Sequence, residues 1–152
     1  AIGWAAILSQ LLAALGSLFA KAGIGKIVSD IVASAIPTDS ALAVVIAYCL
    51  GMAVFTIIMG NAFAAFAVIT SGIGIPLVIV AHGANPLIVA PIAMLAGYCG
   101  TLMTPMAANF NIVPAALLEM QSKYGVIRAQ IPLAIALLAA NILLMYFLGF
   151  HS

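Results

Sequence analysis

The chain has 152 residues, four of them basic and three acidic, for a formal net charge of +1, and 67% of its residues are hydrophobic. Charged side chains make up 5% of the sequence, against about a quarter of an ordinary globular domain, and none lies between Asp39 and Glu119. That composition excludes a water-soluble enzyme, a nucleic-acid binder and a disordered segment, and it predicts an all-α integral membrane protein whose surroundings are a lipid bilayer.

A hydrocarbon core needs roughly 20 apolar residues in helical form to cross it. Residues 2–20 meet that length, with Ser9, Gln10 and Ser17 as their polar side chains, and end at Lys21. The sequence predicts a spanning helix there. Residues 24–36 are too short to span. They place Ile27, Ile31 and Val32 on one side, with Ser29 and Asp30 near the other, and read as an interfacial arm closed by Pro37. The chain opens with Ala1-Ile2-Gly3-Trp4 rather than Met, which reads as a processed or truncated piece.

Residues 41–80 form two apolar arms joined at Gly60-Asn61-Ala62 without a charged loop. A polar loop in water normally joins two spanning helices, so the alternatives are a long kinked helix, a tight turn between two helices, or a re-entrant hairpin with its tip at 60–62. His82-Gly83-Ala84-Asn85-Pro86 then breaks the chain. Residues 86–120 are apolar apart from a cluster of glycine, threonine, proline and asparagine at 100–109, which predicts a discontinuous helix with unwound backbone at the cluster. A polar loop follows, and residues 130–150 predict a last spanning helix with Asn141 as interhelical glue. Cys49 and Cys99 sit in apolar runs and are expected to behave as small hydrophobes. No His or carboxylate stands at zinc spacing from them.

Two interruptions can make one site. A helix that starts inside an apolar protein carries about half a positive charge at its N-terminus and points unpaired N–H groups at its surroundings, so it holds a carboxylate without Lys or Arg. Carbonyls freed at the preceding helix end can coordinate a cation. Asn61, Thr104, Asn109 and Asn111 supply donors and acceptors at the two interruptions. Each also has a structural alternative: Asn61 as a helix cap, Thr104 bonding the carbonyl one turn back, Asn109 as an N-cap. His82 is expected at a wetted helix end. No carboxylate lies at midplane depth, which disfavours proton coupling, and Ser71 with His82 makes no hydrolytic pairing, so the chain is not expected to be an enzyme.

The order of spanning helix, interfacial arm, hairpin and broken helix, with Gly60-Asn61-Ala62 at the tip and Thr104-Pro105-Met106-Ala107-Ala108-Asn109 at the break, resembles one half of a transporter of the ion transporter superfamily, which includes the divalent anion:sodium symporters. The run from Met103 to Met120, followed by Tyr124-Gly125-Val126-Ile127-Arg128, looks more narrowly like the C-terminal half of the larger subunit in a bacterial family of two-subunit 5-oxoproline transporters. The resemblance implies import of a small carboxylate, 5-oxoproline, by alternating access through the bacterial inner membrane. No cofactor is implied beyond Na+ as coupling ion.

The same resemblance implies a substrate site at Asn61, Ala62, Thr104, Pro105 and Asn109, and a cation site at Gly60, Asn61, Gly100, Thr101 and Thr104. Gly60 and Ala62 stand where dicarboxylate members carry serine and threonine, which implies a smaller monocarboxylate with a lactam ring. A second repeat must complete the site, from a separate subunit, a lost N-terminal portion or a second copy. Lys21 and Lys26 flank one loop and Lys123 and Arg128 another, so the basic residues set no orientation; the resemblance puts Lys123 and Arg128 in the cytoplasm. The rival readings are a membrane scaffold or assembly subunit, and a channel.

Overall fold

The computed structural model describes Ala14, Leu18 and residues 21–150, among which every regular element is helical. The spanning helix expected over residues 2–20 lies outside the described residues, Ala14 and Leu18 apart. Helix α1 is Ile24–Ala35, one residue shorter than the expected 24–36. It rests Ile24 and Val32 against the core while Lys26, Ile27, Asp30 and Ile31 stay exposed.

Helix α2, Ala41–Met59, begins where Ser40 accepts the Ala43 N–H on its hydroxyl at 3.4 Å. It ends at Gly60, whose φ of 71° lies in the left-handed region and whose N–H returns to the Thr56 carbonyl at 2.7 Å. Helix α3, Ala62–Ile69, starts at once, because Asn61 caps it by accepting from Phe63 and Ala64 at 2.9 and 3.2 Å. Two residues therefore reverse the chain. Past Ile69 the second arm continues as a π-helix, Thr70–Ala81. Pro76 lies inside it and has no N–H to give to the helical ladder, in a stretch whose turns are wider than those of an α-helix. At its start the Thr70 and Tyr48 hydroxyls meet at 2.8 Å, tying the two arms together.

Asn85 caps helix α4, Pro86–Leu102, through the Leu87 N–H at 3.0 Å. Unwound residues follow at 103–107, and helix α5, Ala108–Leu117, resumes the path. This break is shorter than the expected 100–109 because Gly100, Thr101 and Leu102 stay in α4. Helix α6, Gly125–Gly149, starts before the expected residue 130 and keeps Pro132 within it. The Asn85 N–H donates to the Gly149 carbonyl at 2.9 Å, so the end of α6 stands beside the start of α4.

Helices α2, α4 and α6 pack against one another. Their core contains Val45, Tyr48, Met52, Ala93, Ala96 and Met145, all fully buried. Cys49 and Cys99 are free and buried, as expected of small hydrophobes; Asn141 donates to the Cys99 sulfur at 3.6 Å and links α6 to α4. Among the described residues, three helices are long and apolar enough to cross a membrane: Ala41–Met59, Ala62–Ala81 and Gly125–Gly149. On α6, Leu133, Ile135, Leu143 and Phe147 are each more than half exposed. This face of α6 is apolar.

Candidate functional site

The hairpin tip abuts the helix break. A Cβ on Gly60 would stand 2.7 Å from the Met106 carbonyl carbon and 2.8 Å from its oxygen, so only glycine permits both the turn and this approach. Beside the contact, Thr104 donates its hydroxyl to the Ile57 carbonyl in the last turn of α2 at 2.7 Å and accepts from the Met106 N–H at 3.1 Å. Asn111, fully buried, donates its amide to the Thr101 and Thr104 carbonyls at 2.7 and 2.6 Å. One side chain of α5 thus holds the unwound end of α4.

Next to this junction lies a half-open cleft of about 540 Å³, within the range of small-molecule sites. The tip supplies Gly60, Asn61, Ala62 and Phe63. Helix α4 supplies Tyr98 and Thr101, and the break with the first turn of α5 supplies Met106, Ala107, Ala108, Asn109 and Phe110. Five of the expected site residues meet here: Gly60, Asn61, Ala62, Thr101 and Asn109. Gly100, Thr104 and Pro105 do not line it. Gly100 lies in the α2–α4 crossing, where any Cβ would press on the Ala53 carbonyl and the Thr56 side chain. Thr104 is 1% exposed, and its hydroxyl bonds a carbonyl on the neighbouring α2 rather than one turn back. Pro105 stands exposed to one side.

The oxygens expected to ligate a cation largely have protein donors. Asn111 bonds the Thr101 and Thr104 carbonyls, and the Gly100 carbonyl accepts from Met103 N–H at 3.1 Å. The Thr101 hydroxyl donates to the Tyr98 carbonyl at 2.7 Å, keeping its lone pairs. What the break does leave over is the Asn111 Oδ1, a buried acceptor with no partner among the described residues.

Two helix N-termini reach the cleft in different states. That of α3 is capped by Asn61. That of α5 begins at Ala107 with no side-chain cap, and Asn109 falls in its first turn instead of capping it. The Phe110 and Asn111 N–H groups return to the Ala107 carbonyl at 3.0 and 3.2 Å, whereas the Ala108 and Asn109 N–H groups have no helical acceptor. The partial positive charge of α5 is therefore open to the cleft, and no Lys, Arg, Asp or Glu lines it. Phe63 and Tyr98, both lining the cleft, meet edge to face, with centroids 6.2 Å apart and planes at 88°.

Sequence reading missed Tyr98, Phe63 and Phe110. The available signal was positional: Tyr98 and Thr101 share a helix face one turn before the break, and Phe63 and Phe110 each fall in the first turn of a helix that starts at an interruption. His82 sits where a helix end was expected, its Nδ1 2.7 Å from the Leu77 carbonyl.

No curated protein and no solved structure matches the chain. A family model described as a protein of unknown function, DUF979, matches residues 1–150, and the chain belongs to that family.

Proposed function

We propose that the chain is an integral membrane half of a secondary active transporter that imports a small monocarboxylate, 5-oxoproline by resemblance, across a bacterial inner membrane by alternating access. The observation that carries the reading is the uncapped N-terminus of α5, open to a half-open cleft at the point where a hairpin tip meets a helix break. Two free N–H groups and the helix dipole stabilise one carboxylate, and the absence of Lys and Arg limits the site to a single negative charge.

The hairpin is read as re-entrant because its tip abuts the junction of α4 and α5, while α5 continues for ten residues, about 15 Å, beyond it. Asn61 and Asn109 at such a depth cannot face lipid without loss of several kcal/mol per unpaired group. The open side of the cleft is accordingly where a second repeat docks, supplied by a partner subunit or a second copy. Na+ is the coupling ion in this reading, with the Asn111 Oδ1 as an oxygen free to approach it.

The test is uptake of labelled 5-oxoproline by cells making the full-length protein with its candidate partner subunits. Wild type is compared at matched protein level with Asn61→Ser, which retains a capping oxygen and removes the amide N–H groups. Saturable uptake that falls at least tenfold in the variant supports the reading. A non-saturating flux points to a channel, and no uptake under any pairing leaves a scaffold.

A further inference from the structure

We infer that Tyr98 is a specificity-determining residue of the cleft, donating its hydroxyl to a second, uncharged acceptor on the ligand. The inference rests on the carboxylate reading above and adds a group that selects among monocarboxylates.

Three observations carry it. The Tyr98 side chain lines the cleft, is 40% exposed, and its hydroxyl has no hydrogen-bond partner among the described residues. Of the polar groups around it, Thr101 donates to the Tyr98 carbonyl, Asn61 Oδ1 caps α3, and Asn141 donates to Cys99, while the Asn61 and Asn109 amides share the cleft with the phenol. The ring is held edge-on by Phe63 in the first turn of α3, so the phenol is pre-oriented by the same hairpin that builds the cleft.

The division of labour follows from charge. The α5 N-terminus attracts the carboxylate because its N–H groups carry the field of a helix, whereas a neutral phenol is a single donor suited to a carbonyl oxygen. Tyr98 also lines a neighbouring apolar pocket of about 340 Å³, with Leu95, Leu102 and Leu137. Within the cleft itself Phe63, Met106 and Phe110 offer apolar surface to the carbon atoms of a ligand. The ligand class is a compact monocarboxylate that carries a second, uncharged acceptor.

The experiment is competition against labelled 5-oxoproline uptake in proteoliposomes holding the full-length protein and its partner. Unlabelled 5-oxoproline, 3-oxocyclopentanecarboxylate and cyclopentanecarboxylate are the competitors, for wild type and Tyr98→Phe. The two ring-carbonyl acids are expected to compete about tenfold or more better than cyclopentanecarboxylate in wild type, and Tyr98→Phe is expected to collapse that ratio toward one. Phenylalanine keeps the edge contact with Phe63, and an unchanged thermal midpoint verifies the fold. An unchanged ratio in Tyr98→Phe overturns the role of Tyr98 while leaving the carboxylate site in place. Wild-type protein that shows no saturable uptake of labelled 5-oxoproline overturns the proposed function and this inference together.

Discussion

Thr104 in the helix break donates its hydroxyl to the carbonyl of Ile57 in the last turn of the hairpin's first arm, 2.7 Å away, across a separation of 47 residues in sequence. The bond sets the height at which the tip meets the break, and every residue of the cleft depends on that height. Because the same oxygen accepts from the Met106 N–H, one hydroxyl satisfies both interruptions. Thr104→Val is expected to cost about 1–2 kcal/mol, and Thr104→Ser much less. Thermal unfolding in detergent checks the order, with Val below Ser.

Asn61 has two separable duties. Its Oδ1 caps α3, and its side chain lines the cleft. Asn61→Ala is expected to lose about 1 kcal/mol of stability with the cap. Asn61→Asp retains a capping oxygen, and thus stability, yet adds a negative charge that opposes a carboxylate. Equal thermal midpoints for wild type and Asp, with uptake abolished in Asp, is the expected pairing.

Gly60 and Gly83 both have positive φ, 71° and 69°, but their surroundings differ. An added Cβ at Gly83 meets nothing within 4 Å, while at Gly60 it strikes the Met106 backbone. Gly83→Ala is expected to cost only the left-handed strain, about 1 kcal/mol. Gly60→Ala adds displacement of the break, and is expected to be the more destabilising of the two and to abolish uptake. The yield of folded protein and its thermal midpoint rank the pair.

The stretch between Asp39 and Glu119 contains no carboxylate, and the coupling predictions rest on the proposed function. Uptake is expected to require Na+ and to respond little to an imposed pH gradient in Na+-free buffer. Asn111→Leu, which removes the unpaired Oδ1 together with the amide holding Thr101 and Thr104, is expected to raise the Na+ concentration needed for half-maximal uptake. Measuring uptake against Na+ concentration for wild type and the variant checks both statements.

Much of the helix layout was legible because its signals are local. Apolar runs ended by Gly60, by Gly83 to Pro86 and by Thr104-Pro105 mark helix ends wherever the rest of the chain lies. The hydrogen-bonding duties of the polar residues were less legible. Thr104 read alone is equally suited to a backbone carbonyl one turn back or to a ligand, and only the arrival of α2 supplies the Ile57 carbonyl it uses. Asn111 read as one more polar residue of the break; folding makes it the brace for α4 and leaves its Oδ1 unpaired. Tyr98 drew no attention because an aromatic residue in an apolar helix has no local mark of function.

By itself, then, the sequence determined an apolar, all-helical chain with interruptions at residues 60–62 and within 100–109, since composition and helix-breaking residues act over a few neighbours. Tertiary structure alone decided that these interruptions meet, that α5 and not α3 presents an uncapped N-terminus, and that Gly100, Thr104 and Pro105 stand outside the cleft. Those outcomes depend on which carbonyls, N–H groups and glycine faces the packing of α2 against α4 brings within hydrogen-bonding distance, and sequence separation does not encode that distance.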